Sequence, residues 1–478
     1  MNIPPSLYAM EIASEWVIRL AMLIYVPQRR SSAASRTWLL LIFLLPWPGL
    51  ILYMLFGRIY VPRQRIAQQA RASRLIREEQ QKLPEGLVIT PVLPPHLQHL
   101  PELVEALGDF EVFQGNRMEW MQDYQGSINR LVDDIEAATI HVHLETYILG
   151  TDAVAQKVMD ALLRAAERGV TCRLFVDAVG GRRGVDRFHE ELEKAGVEVV
   201  TMLPVGLFRR NAARFDLRNH RKIAVIDGKI AHIGSQNLVG PDFIPGFPNV
   251  ELVARIKGPV VGQLQAVILA DRSFEIHVPL LHDMHDSLFP KLPAAGNCPA
   301  QVFPSGPGFP RENVEEFFLS AFHSAQKSIC VVTPYFVPDE PILLALTCAA
   351  RRGVEVRLIL SMQNNQKFTQ LAQESHYEAL LASGVHIHRY RPHFLHAKHI
   401  TIDSAVGLVG STNMDIRSFA LNAEVSLVFY CRDTVQGLEA IEDGYLAKSE
   451  ELHLAEWQQR PLLRRTAQNL ARLGDSLL

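Results

Sequence analysis

Two stretches of the chain carry the same reactive side chains at the same spacing. NHRKIAVIDGKIAHIGSQN occupies residues 219–237, and LHAKHITIDSAVGLVGSTN occupies residues 395–413. Both fit the pattern H-x-K-x4-D-x6-G-S-x-N without a gap, at a constant offset of 176 residues. Apart from the glycine, the shared side chains are His220, Lys222, Asp227, Ser235, Asn237 and His396, Lys398, Asp403, Ser411, Asn413. Such agreement indicates an internal duplication of one functional unit.

These residue types suit transfer of a phosphoryl group. One histidine can attack phosphorus and form a covalent phosphoramidate, while the other protonates the leaving alkoxide and then deprotonates the incoming alcohol. The two lysines can stabilise negative charge on the phosphoryl oxygens, and the serines and asparagines can add neutral hydrogen bonds. This chemistry requires no metal and no cofactor. The alternative is a pair of structural histidines in a duplicated fold.

Four carboxylates accompany the motifs. Glu251 in PNVELVA and Glu424 in LNAEVSL follow the first and second motif, and either could hold the far ring nitrogen of a histidine and fix its tautomer. Asp227 and Asp403 belong to the catalytic candidates, but each stands at the end of an apolar run beside a turn residue. A structural role in the turn is therefore favoured for both over direct chemistry.

Other side chains near the motifs allow more than one interpretation. His141, His143 and Glu145 alternate along one predicted strand, a spacing that could bind a metal, although packing is favoured. Tyr147 and Tyr335 occupy matched positions of the repeat and fit either the core or a pocket wall.

The segments around the motifs repeat as well. Each copy has an apolar strand, a helix, Arg-Gly-Val and a second strand, and then a third strand before the motif. The matched segments are 138–148 with 327–337, 162–177 with 346–361, and 195–202 with 383–390. Alternating strands and helices predict an α/β fold with parallel strands and helices on both faces of the sheet. The motif itself is predicted on a strand–turn–strand, with histidine and lysine on one face.

Composition limits the other possibilities. The chain has 478 residues, 48% of them apolar and 21% charged, with a formal net charge of −3. Disorder is excluded for the chain as a whole, and no global charge attracts nucleic acid. The five cysteines form no CxxC pair, which argues against a disulfide framework or a cysteine zinc site.

The first 57 residues predict a membrane anchor. Residues 38–56 contain no charged side chain and are long enough to span a bilayer, with Pro46 and Pro48 allowing a kink or a re-entrant hairpin. Residues 7–26 carry three charged side chains on one helical face and predict a second span or an interfacial helix. The net charge of +5 over residues 58–82 predicts cytoplasmic retention and attraction to anionic lipid.

The duplicated motif resembles that of the phospholipase D superfamily, and several stretches resemble the bacterial cardiolipin synthases within it. These stretches are RNHRK (218–222), HAKHITID (396–403), GSTNMDIRS (410–418), LNAEV (421–425), PGLILYMLFGR (48–58) and EWQQRPLLRR (456–465). The final GDSLL departs from the proline-containing end of that family. The resemblance implies that two copies in one chain form one complete site.

The resemblance also implies a reaction. A phosphatidyl group would pass from one phosphatidylglycerol to the glycerol hydroxyl of another, releasing glycerol, at the inner membrane of a bacterium. His220, in the first motif, would be the nucleophile and His396 the general acid and base. A hydrolytic phospholipase D and a membrane-tethered nuclease of the same superfamily remain alternatives, and the net charge counts against the nuclease.

We therefore expect an α/β enzyme with two duplicated lobes that form one active site. The predicted parts are a membrane anchor of one or two helices at 1–57, a basic juxtamembrane linker at 58–109, a first lobe at 110–290, and a second lobe at 291–478 with a C-terminal basic helix. Arg209, Arg210, Arg214 and Arg218 lie in a loop before His220, where an anionic headgroup would enter.

Overall fold

The computed structural model describes residues 5–30, 32–57, 63–205, 216–291, 293–309 and 312–473. Contacts within the chain separate an N-terminal unit that ends at Tyr60 from a catalytic unit that begins at Val61. Arg209, Arg210 and Arg214 of the predicted headgroup loop lie outside the described residues.

The N-terminal unit is helical. It contains α1 (Pro5–Tyr25), α2 (Ser32–Leu44), α3 (Pro46–Leu52) and a π-helical turn at Tyr53–Gly57. Buried Trp38, Ile42 and Tyr53 pack together, with the Trp38 and Tyr53 rings edge to face at 5.4 Å. A Cβ at Gly49 would come within 2.8 Å of the Ile42 backbone, so glycine permits α2 and α3 to approach closely.

The expected transmembrane helices are not found in the described part of the chain, where no helix is both long and apolar enough to cross a bilayer. The uncharged segment 38–56 is divided because Pro46 has no amide hydrogen to continue α2, and α3 starts there instead. The longer helix α1 carries Glu11, Glu15 and Arg19, and Arg19 pairs with Glu15 at 3.1 Å.

The catalytic unit contains thirteen α-helices among its described residues. They are α4 (Arg63–Gln80), α5 (Leu100–Gly108), α6 (Tyr124–Glu136), α7 (Ala153–Glu167), α8 (Arg182–Lys194), α9 (Val261–Ile276), α10 (Asn313–Ser324), α11 (Glu340–Arg351), α12 (Lys367–Ala382), α13 (Ile416–Ala420), α14 (Arg432–Leu446), α15 (Leu454–Gln458) and α16 (Leu462–Arg472). Short 3-10 helices occur at Pro95–Leu97 and Leu280–Asp283.

Nineteen strands accompany these helices in the same described ranges. They are β1 (Phe113–Met121), β2 (His141–Thr146), β3 (Thr171–Asp177), β4 (Glu198–Met202), β5 (Ile223–Ile226), β6 (Ile230–Gly234), β7 (Asn249–Val250), β8 (Val253–Lys257), β9 (Cys298–Ser305), β10 (Ser328–Thr333), β11 (Phe336–Val337), β12 (Glu355–Ser361), β13 (His386–Tyr390), β14 (Phe394–Leu395), β15 (His399–Ile402), β16 (Val406–Gly410), β17 (Met414–Asp415), β18 (Glu424–Phe429) and β19 (Ser449–Leu452).

One sheet of fifteen strands runs through both lobes. Its order is β19-β13-β12-β10-β15-β16-β18-β9-β1-β8-β6-β5-β2-β3-β4, and the lobes join where β9 pairs antiparallel with β1. Within this sheet, parallel pairing is confined to β2-β3-β4 and β10-β12-β13, the repeated strand–helix–strand segments. The expected parallel sheet is therefore mixed, because each motif forms an antiparallel hairpin, β5-β6 or β15-β16.

The two lobes also share a hydrophobic core. Ile233 and Ala254 of the first lobe belong to the same buried cluster as Val409 and Val425 of the second lobe. Burial of these strands between helices favours one cooperative unit over two independent lobes. The predicted lobe boundary between residues 290 and 291 stays a prediction.

Residues 63–108 form part of the catalytic unit and do not behave as a linker. Arg77 of α4 pairs with Asp109 at 2.7 Å, and Gln80 donates to the Asp109 carbonyl at 2.7 Å. Leu97 and Val104 are fully buried in the core cluster of the second lobe. Arg71 and Arg74 of α4 are exposed, whereas Arg65 faces the fold and pairs with Glu275 at 2.8 Å.

Candidate active site

The two catalytic histidine candidates lie just before matched strands. Lys222 is followed at once by β5, and Lys398 by β15, so each histidine stands three residues before its strand begins. His220 and His396 are 9% and 8% exposed, whereas Lys222 and Lys398 are 4% and 1% exposed. The histidines are therefore slightly more exposed than the lysines, although all four side chains are buried.

Backbone pairing across the lobes brings the two motifs together. Asn219 forms a parallel bridge with Ala423, and the His220 amide donates to the Ala423 carbonyl at 2.9 Å. In the matching place, β14 pairs with β7, and the His396 amide donates to the Val250 carbonyl at 2.8 Å. The segment before each histidine thus runs beside the segment before the other lobe's glutamate.

This exchange gives each histidine a carboxylate from the opposite lobe. His220 Nδ1 lies 2.9 Å from Glu424 Oε2, and His396 Nδ1 lies 2.8 Å from Glu251 Oε1. A carboxylate at Nδ1 favours the tautomer with hydrogen on Nδ1, which leaves the Nε2 lone pair available. The sequence predicted an orienting role for both glutamates, which stays a prediction, but it did not reveal that each contacts the histidine of the other lobe.

The motif serines hold these glutamates and the strands that carry them. Ser411 Oγ donates to Glu424 Oε2 at 2.5 Å and accepts from the Val425 amide at 3.0 Å. Ser235 Oγ accepts from the Leu252 amide at 3.0 Å in the corresponding position. Both hydroxyls thus support the segment that carries the opposite histidine's glutamate, and donation from the serines to the phosphoryl group stays a prediction.

The position before each motif serine requires glycine for steric reasons. A Cβ on Gly234 would clash with the Leu252 carbonyl oxygen, and a Cβ on Gly410 would clash with the Val425 carbonyl oxygen. Only glycine allows the glutamate-bearing segment to pass so close. The Gly-Ser pair thus sets the position of the opposite lobe's carboxylate.

Both lysines are buried, and each donates to the backbone carbonyl of the histidine in its own motif. Lys222 Nζ donates to the His220 carbonyl at 2.5 Å, and Lys398 Nζ donates to the His396 carbonyl at 2.6 Å. Burial, opposed by the charge of a nearby glutamate, lowers the pKa of Lys222 to about 7 and that of Lys398 to about 8. Each ammonium group keeps further N–H bonds for an anionic ligand.

Burial also lowers the pKa of both histidines. The pKa of His220 falls to about 4, despite the charge of Glu424, which raises it. The pKa of His396 is lowered as well, against the charge of Glu251. Each ring also has its pKa lowered by the other lobe's lysine, which shows that the two halves form one electrostatic site.

The motif aspartates lie away from this site, at the far ends of β5 and β15. Asp227 accepts from the backbone amides of Thr139, Ile140 and His141 at 2.7–3.2 Å. Their donation, against the opposing effect of burial, lowers the pKa of the Asp227 carboxyl. These contacts support the structural role favoured for Asp227, and its inclusion among the catalytic candidates stays a prediction.

The second aspartate repeats the arrangement. Asp403 accepts from the amides of Gln326, Lys327 and Ser328 at 2.7–2.9 Å, and His96 Nε2 lies 2.7 Å from its Oδ2. Both aspartates have positive φ, +52°, in the hairpin turn. Each one joins its hairpin to the start of the neighbouring strand, β2 or β10.

The two asparagines are buried beside the motifs. Asn237 Oδ1 accepts from the Ile148 amide at 3.0 Å, which leaves its amide group as a donor. Asn413 Oδ1 is buried and has no hydrogen-bond partner within the described ranges. Ligand contact by either asparagine stays a prediction.

Two functional neighbours were missed from the sequence. Arg221, within the first motif, forms an ion pair with Asp271 and donates to the Glu424 carbonyl at 2.9 Å. Asp177 accepts from the Asn219 amide at 2.9 Å and from Arg218 at 3.2 Å. The repeat gave no signal for either residue, because the second copy has Ala397 and Ser361 in the matching positions.

The other singled-out residues surround the site or the core. The centroid of the Tyr147 ring lies 4.9 Å from that of the His220 ring and 5.4 Å from Lys222 Nζ. Arg218 is buried on Asp177 and does not reach into solvent. The buried rings of His141 and His143 lie 4.6 Å apart at a tilt of 37°. No cluster of three or more metal-binding side chains occurs in the part of the chain described.

Comparison with known proteins agrees with this arrangement. Residues 131–272 and 318–443 match the family described as "Cardiolipin synthase, PLD-like domain", and residues 16–58 match "Phospholipase_D-nuclease N-terminal". The chain is 33% identical over 461 residues to "Cardiolipin synthase A" of Pectobacterium carotovorum subsp. carotovorum (strain PC1), covering 94% of each protein. It is 33% identical over 464 residues to the protein of that name from Serratia proteamaculans (strain 568), with the same coverage.

A solved structure shares the fold. The phosphatidylserine synthase of Haemophilus influenzae Rd KW20 superposes with a TM-score of 0.61 at 13% identity, covering 80% of this chain and 99% of that one. At this identity the likeness concerns the fold alone.

Proposed function

Because the chain belongs to the family of phospholipase D-like cardiolipin synthases, and is a phosphatidyltransferase of that type, we propose that it joins two phosphatidylglycerol molecules into cardiolipin and glycerol. The observation that carries the proposal is the crosswise pair of His–Glu contacts, Glu424 on His220 and Glu251 on His396. Two oriented imidazoles beside two buried ammonium groups suit a double displacement at a phosphodiester.

In the first displacement, His220 Nε2 attacks phosphorus of the donor lipid. A bond forms between Nε2 and phosphorus while the bond from phosphorus to the glycerol oxygen breaks. His396 gives its Nε2 proton to that oxygen, so glycerol leaves as a neutral alcohol. Glu424 stabilises the positive charge that develops on His220, and Lys222 and Lys398 stabilise the phosphoryl oxygens.

In the second displacement, the reaction runs back through the same groups. The glycerol hydroxyl of a second phosphatidylglycerol gives its proton to His396 and attacks phosphorus. The bond from phosphorus to His220 breaks and restores the free imidazole. The general acid of the first step thus becomes the general base of the second, with Glu251 stabilising its protonated form.

We also propose that the enzyme works at the inner membrane of a bacterium, with the catalytic unit on the cytoplasmic side. The match of residues 16–58 to an N-terminal family region and the exposed apolar side chains of α1 to α3 support membrane association. Arginines of α4, such as Arg71 and Arg74, support attraction to anionic headgroups.

Incubation of the purified chain with phosphatidylglycerol in detergent, with excess chelator, tests the reaction. We expect cardiolipin and glycerol in equal amounts. Phosphatidic acid as the only lipid product would instead identify a hydrolase. Nucleic-acid cleavage without a lipid product would identify a nuclease, and recovery only on adding one divalent ion would contradict the metal-free scheme.

A second experiment tests the intermediate. The enzyme is mixed with a donor lipid that has a good leaving group, and the reaction is quenched. The modified histidine is then mapped by mass spectrometry. The phosphatidyl group is expected on His220, and the His220→Asn variant should carry none. An adduct on His396 would reverse the two roles.

A further inference from the structure

Helix α16, the last one in the described ranges, has no counterpart in the first copy as far as that copy is described. The first copy ends with α9 and the second with α14, and β19, α15 and α16 follow only the second. Helix α16 lies on α12, whereas the matching helix α8 of the first lobe carries no such addition among the described residues. Because α16 lies outside the repeat and on one lobe only, its presence is not explained by the site that the two lobes form together.

Helix α16 packs on the fold mostly through polar side chains and exposes its leucines, the reverse of an ordinary packed helix. Gln468 and Ala471 are its buried residues, and Gln468 donates to the buried carboxylate of Glu374 at 2.7 Å. Arg464 donates to the same carboxylate at 2.8 Å. The contact of α16 with the fold is therefore mostly polar, and its leucines are not used for packing.

The leucines of α16 point outward. Leu462, Leu463, Leu470 and Leu473 at the end of the helix are 77%, 86%, 62% and 71% exposed. Positions 463, 470 and 473 fall within one face of a 3.6-residue helix, and 462 borders it. Four leucines exposed on one short helix form an apolar stripe that water solvates poorly.

The charge beside the stripe selects its partner. The sequence of α16, LLRRTAQNLAR, contains three arginines and no acidic residue. Arg465 and Arg472 are exposed, and Arg464 is half-exposed beside Glu374. An apolar face flanked by arginines complements a bilayer that contains anionic phospholipid. A second copy of this chain would place like charges together, and four leucines do not supply the roughly 800 Å² per partner typical of stable interfaces.

The position of α16 connects the stripe to the active site. Arg460, just before α16, pairs with Glu378 late in α12, whereas Ala471 packs with Ala372 and Val337. The helices are thus antiparallel, and the last turn of α16 lies near the first turns of α12. That end is beside the site, because Tyr335 donates to Asn365 at 2.8 Å, just before α12.

Ring contacts continue from there to the reactive histidine. The rings of Tyr335 and Phe394 are 5.9 Å apart, and those of Phe394 and His396 are 5.7 Å apart. Phe368, in the first turn of α12, is 49% exposed at the same end. Packed rings therefore connect this end of α12 to His396, and Phe368 is an exposed apolar side chain at the same end.

We infer that α16 docks the second lobe on an anionic phospholipid bilayer through Leu462, Leu463, Leu470 and Leu473, with Arg465 and Arg472 at the headgroups. The inference rests on the proposed function in one respect, since a lipid substrate must pass from that bilayer to His220 and His396. Docking itself is measured without turnover.

The first test places a reporter on the stripe of the full chain. Leu470→Trp and, as a matched control, the exposed Leu281→Trp are compared with the native chain on vesicles of equal parts phosphatidylglycerol and phosphatidylcholine. The acyl chains are brominated near the glycerol backbone, so they quench a tryptophan that enters the bilayer. The fluorescence that Leu470→Trp adds to that of the native tryptophans should be quenched. The fluorescence added by Leu281→Trp should not be quenched. Equal quenching of the two would overturn the inference, even if the N-terminal unit holds the protein on the vesicles.

The second test separates docking from chemistry. The variant Leu463→Gln with Leu470→Gln should turn over vesicle phosphatidylglycerol about fivefold more slowly or worse at limiting lipid. Its rate on monomeric short-chain phosphatidylglycerol should match the native rate, and Leu281→Gln should change neither. Equal losses on both substrates would contradict docking. Docking would also be contradicted if the native chain were a dimer, the double variant were a monomer, and Leu470→Trp showed no quenching. Failure of the native chain on both lipids would refute the proposed function and leave the quenching result to decide docking.

Discussion

At the scale of single residues, the two histidines differ in how their carboxylates are held. Glu424 accepts from Ser411 at 2.5 Å and Ser418 at 3.1 Å in addition to contacting His220. Glu251 faces His396 with both oxygens, at 2.8 and 2.9 Å. Glutamate charge raises the pKa of each histidine against burial, so removal of that charge should lower both.

The variants Glu424→Gln and Glu251→Gln should therefore shift opposite limbs of the pH profile. Glutamine keeps an acceptor for Nδ1–H but removes the charge, and each change should slow turnover about 100-fold. A nucleophile must be neutral, so the acid limb, near the His220 pKa of about 4, should move to lower pH in Glu424→Gln. A general acid must be protonated, so the alkaline limb should move to lower pH in Glu251→Gln.

Measurement of kcat/KM against pH on monomeric short-chain phosphatidylglycerol checks this pair, because kcat/KM reports the free enzyme. Each variant is the matched control of the other. The reverse assignment of the two shifts would make His396 the nucleophile. No shift in either variant would show that the carboxylates only position the rings.

Much of this site could be predicted from residue types and spacing. The repeated pattern identified His220, Lys222, His396 and Lys398, and the following glutamates were recognised as orienting groups. The exchange of Glu251 and Glu424 between lobes could not be predicted, because it depends on β7 pairing with β14, more than 140 residues apart in sequence. The contacts of Ser235 and Ser411 could not be predicted for the same reason, since their partners are distant in sequence.

At the scale of secondary structure, each hairpin aspartate accepts hydrogen bonds from the start of a neighbouring strand, and we expect this to stabilise the fold. Asp403→Asn should lower the free energy of unfolding by about 1–3 kcal/mol at neutral pH, because it weakens three charge-assisted backbone hydrogen bonds. The pKa of this carboxyl is lowered on folding, so its contribution is present above the unfolded pKa of about 3.9 and is lost as pH falls through the folded value.

Denaturant unfolding of Asp403→Asn at neutral and acidic pH measures the effect. The difference from the native chain should shrink below about pH 4. Asp186→Asn, at an exposed position on α8, is the control and should leave stability unchanged. A normally stable Asp403→Asn protein without activity would return this aspartate to the catalytic candidates.

The elements themselves could be predicted unevenly. The repeated strand–helix–strand segments form β2-α7-β3 and β10-α11-β12, as their alternating pattern indicates. Length and hydropathy over 38–56 did not reveal the break at Pro46, where two helices form in place of one. The packing of α4 was also hidden, because a basic composition does not show which face of a helix is buried.

At the scale of the whole molecule, the catalytic unit includes α4. A chain starting at Val61 should retain the native rate on monomeric phosphatidylglycerol, since every residue of the candidate site and its supports follows that point. A chain starting at Leu83 should be less stable, with a Tm lower by about 5 °C or more, because it loses the contacts of Arg77 and Gln80 with Asp109 and the burial of Ile76. Thermal unfolding and kinetics of the two chains, side by side, make the measurement. Equal stability would mean that α4 is dispensable.

The shared sheet and the crossed glutamates also predict that one chain must supply the whole site. Co-expression of full-length His220→Asn and His396→Asn variants should give no activity above that of either alone. Each variant lacks one of the two reactive groups, and the lobes of different chains would have to exchange across the β9-β1 junction and the core they share to restore the pair. A tandem control that joins the native chain to the His220→Asn chain should be active, because its native copy holds both histidines. Cardiolipin formation in lysates, normalised to protein level, is the measurement. Recovery of activity by the two separate variants would show that β9 and β1 pair between molecules, and that the active site is built from lobes of two chains.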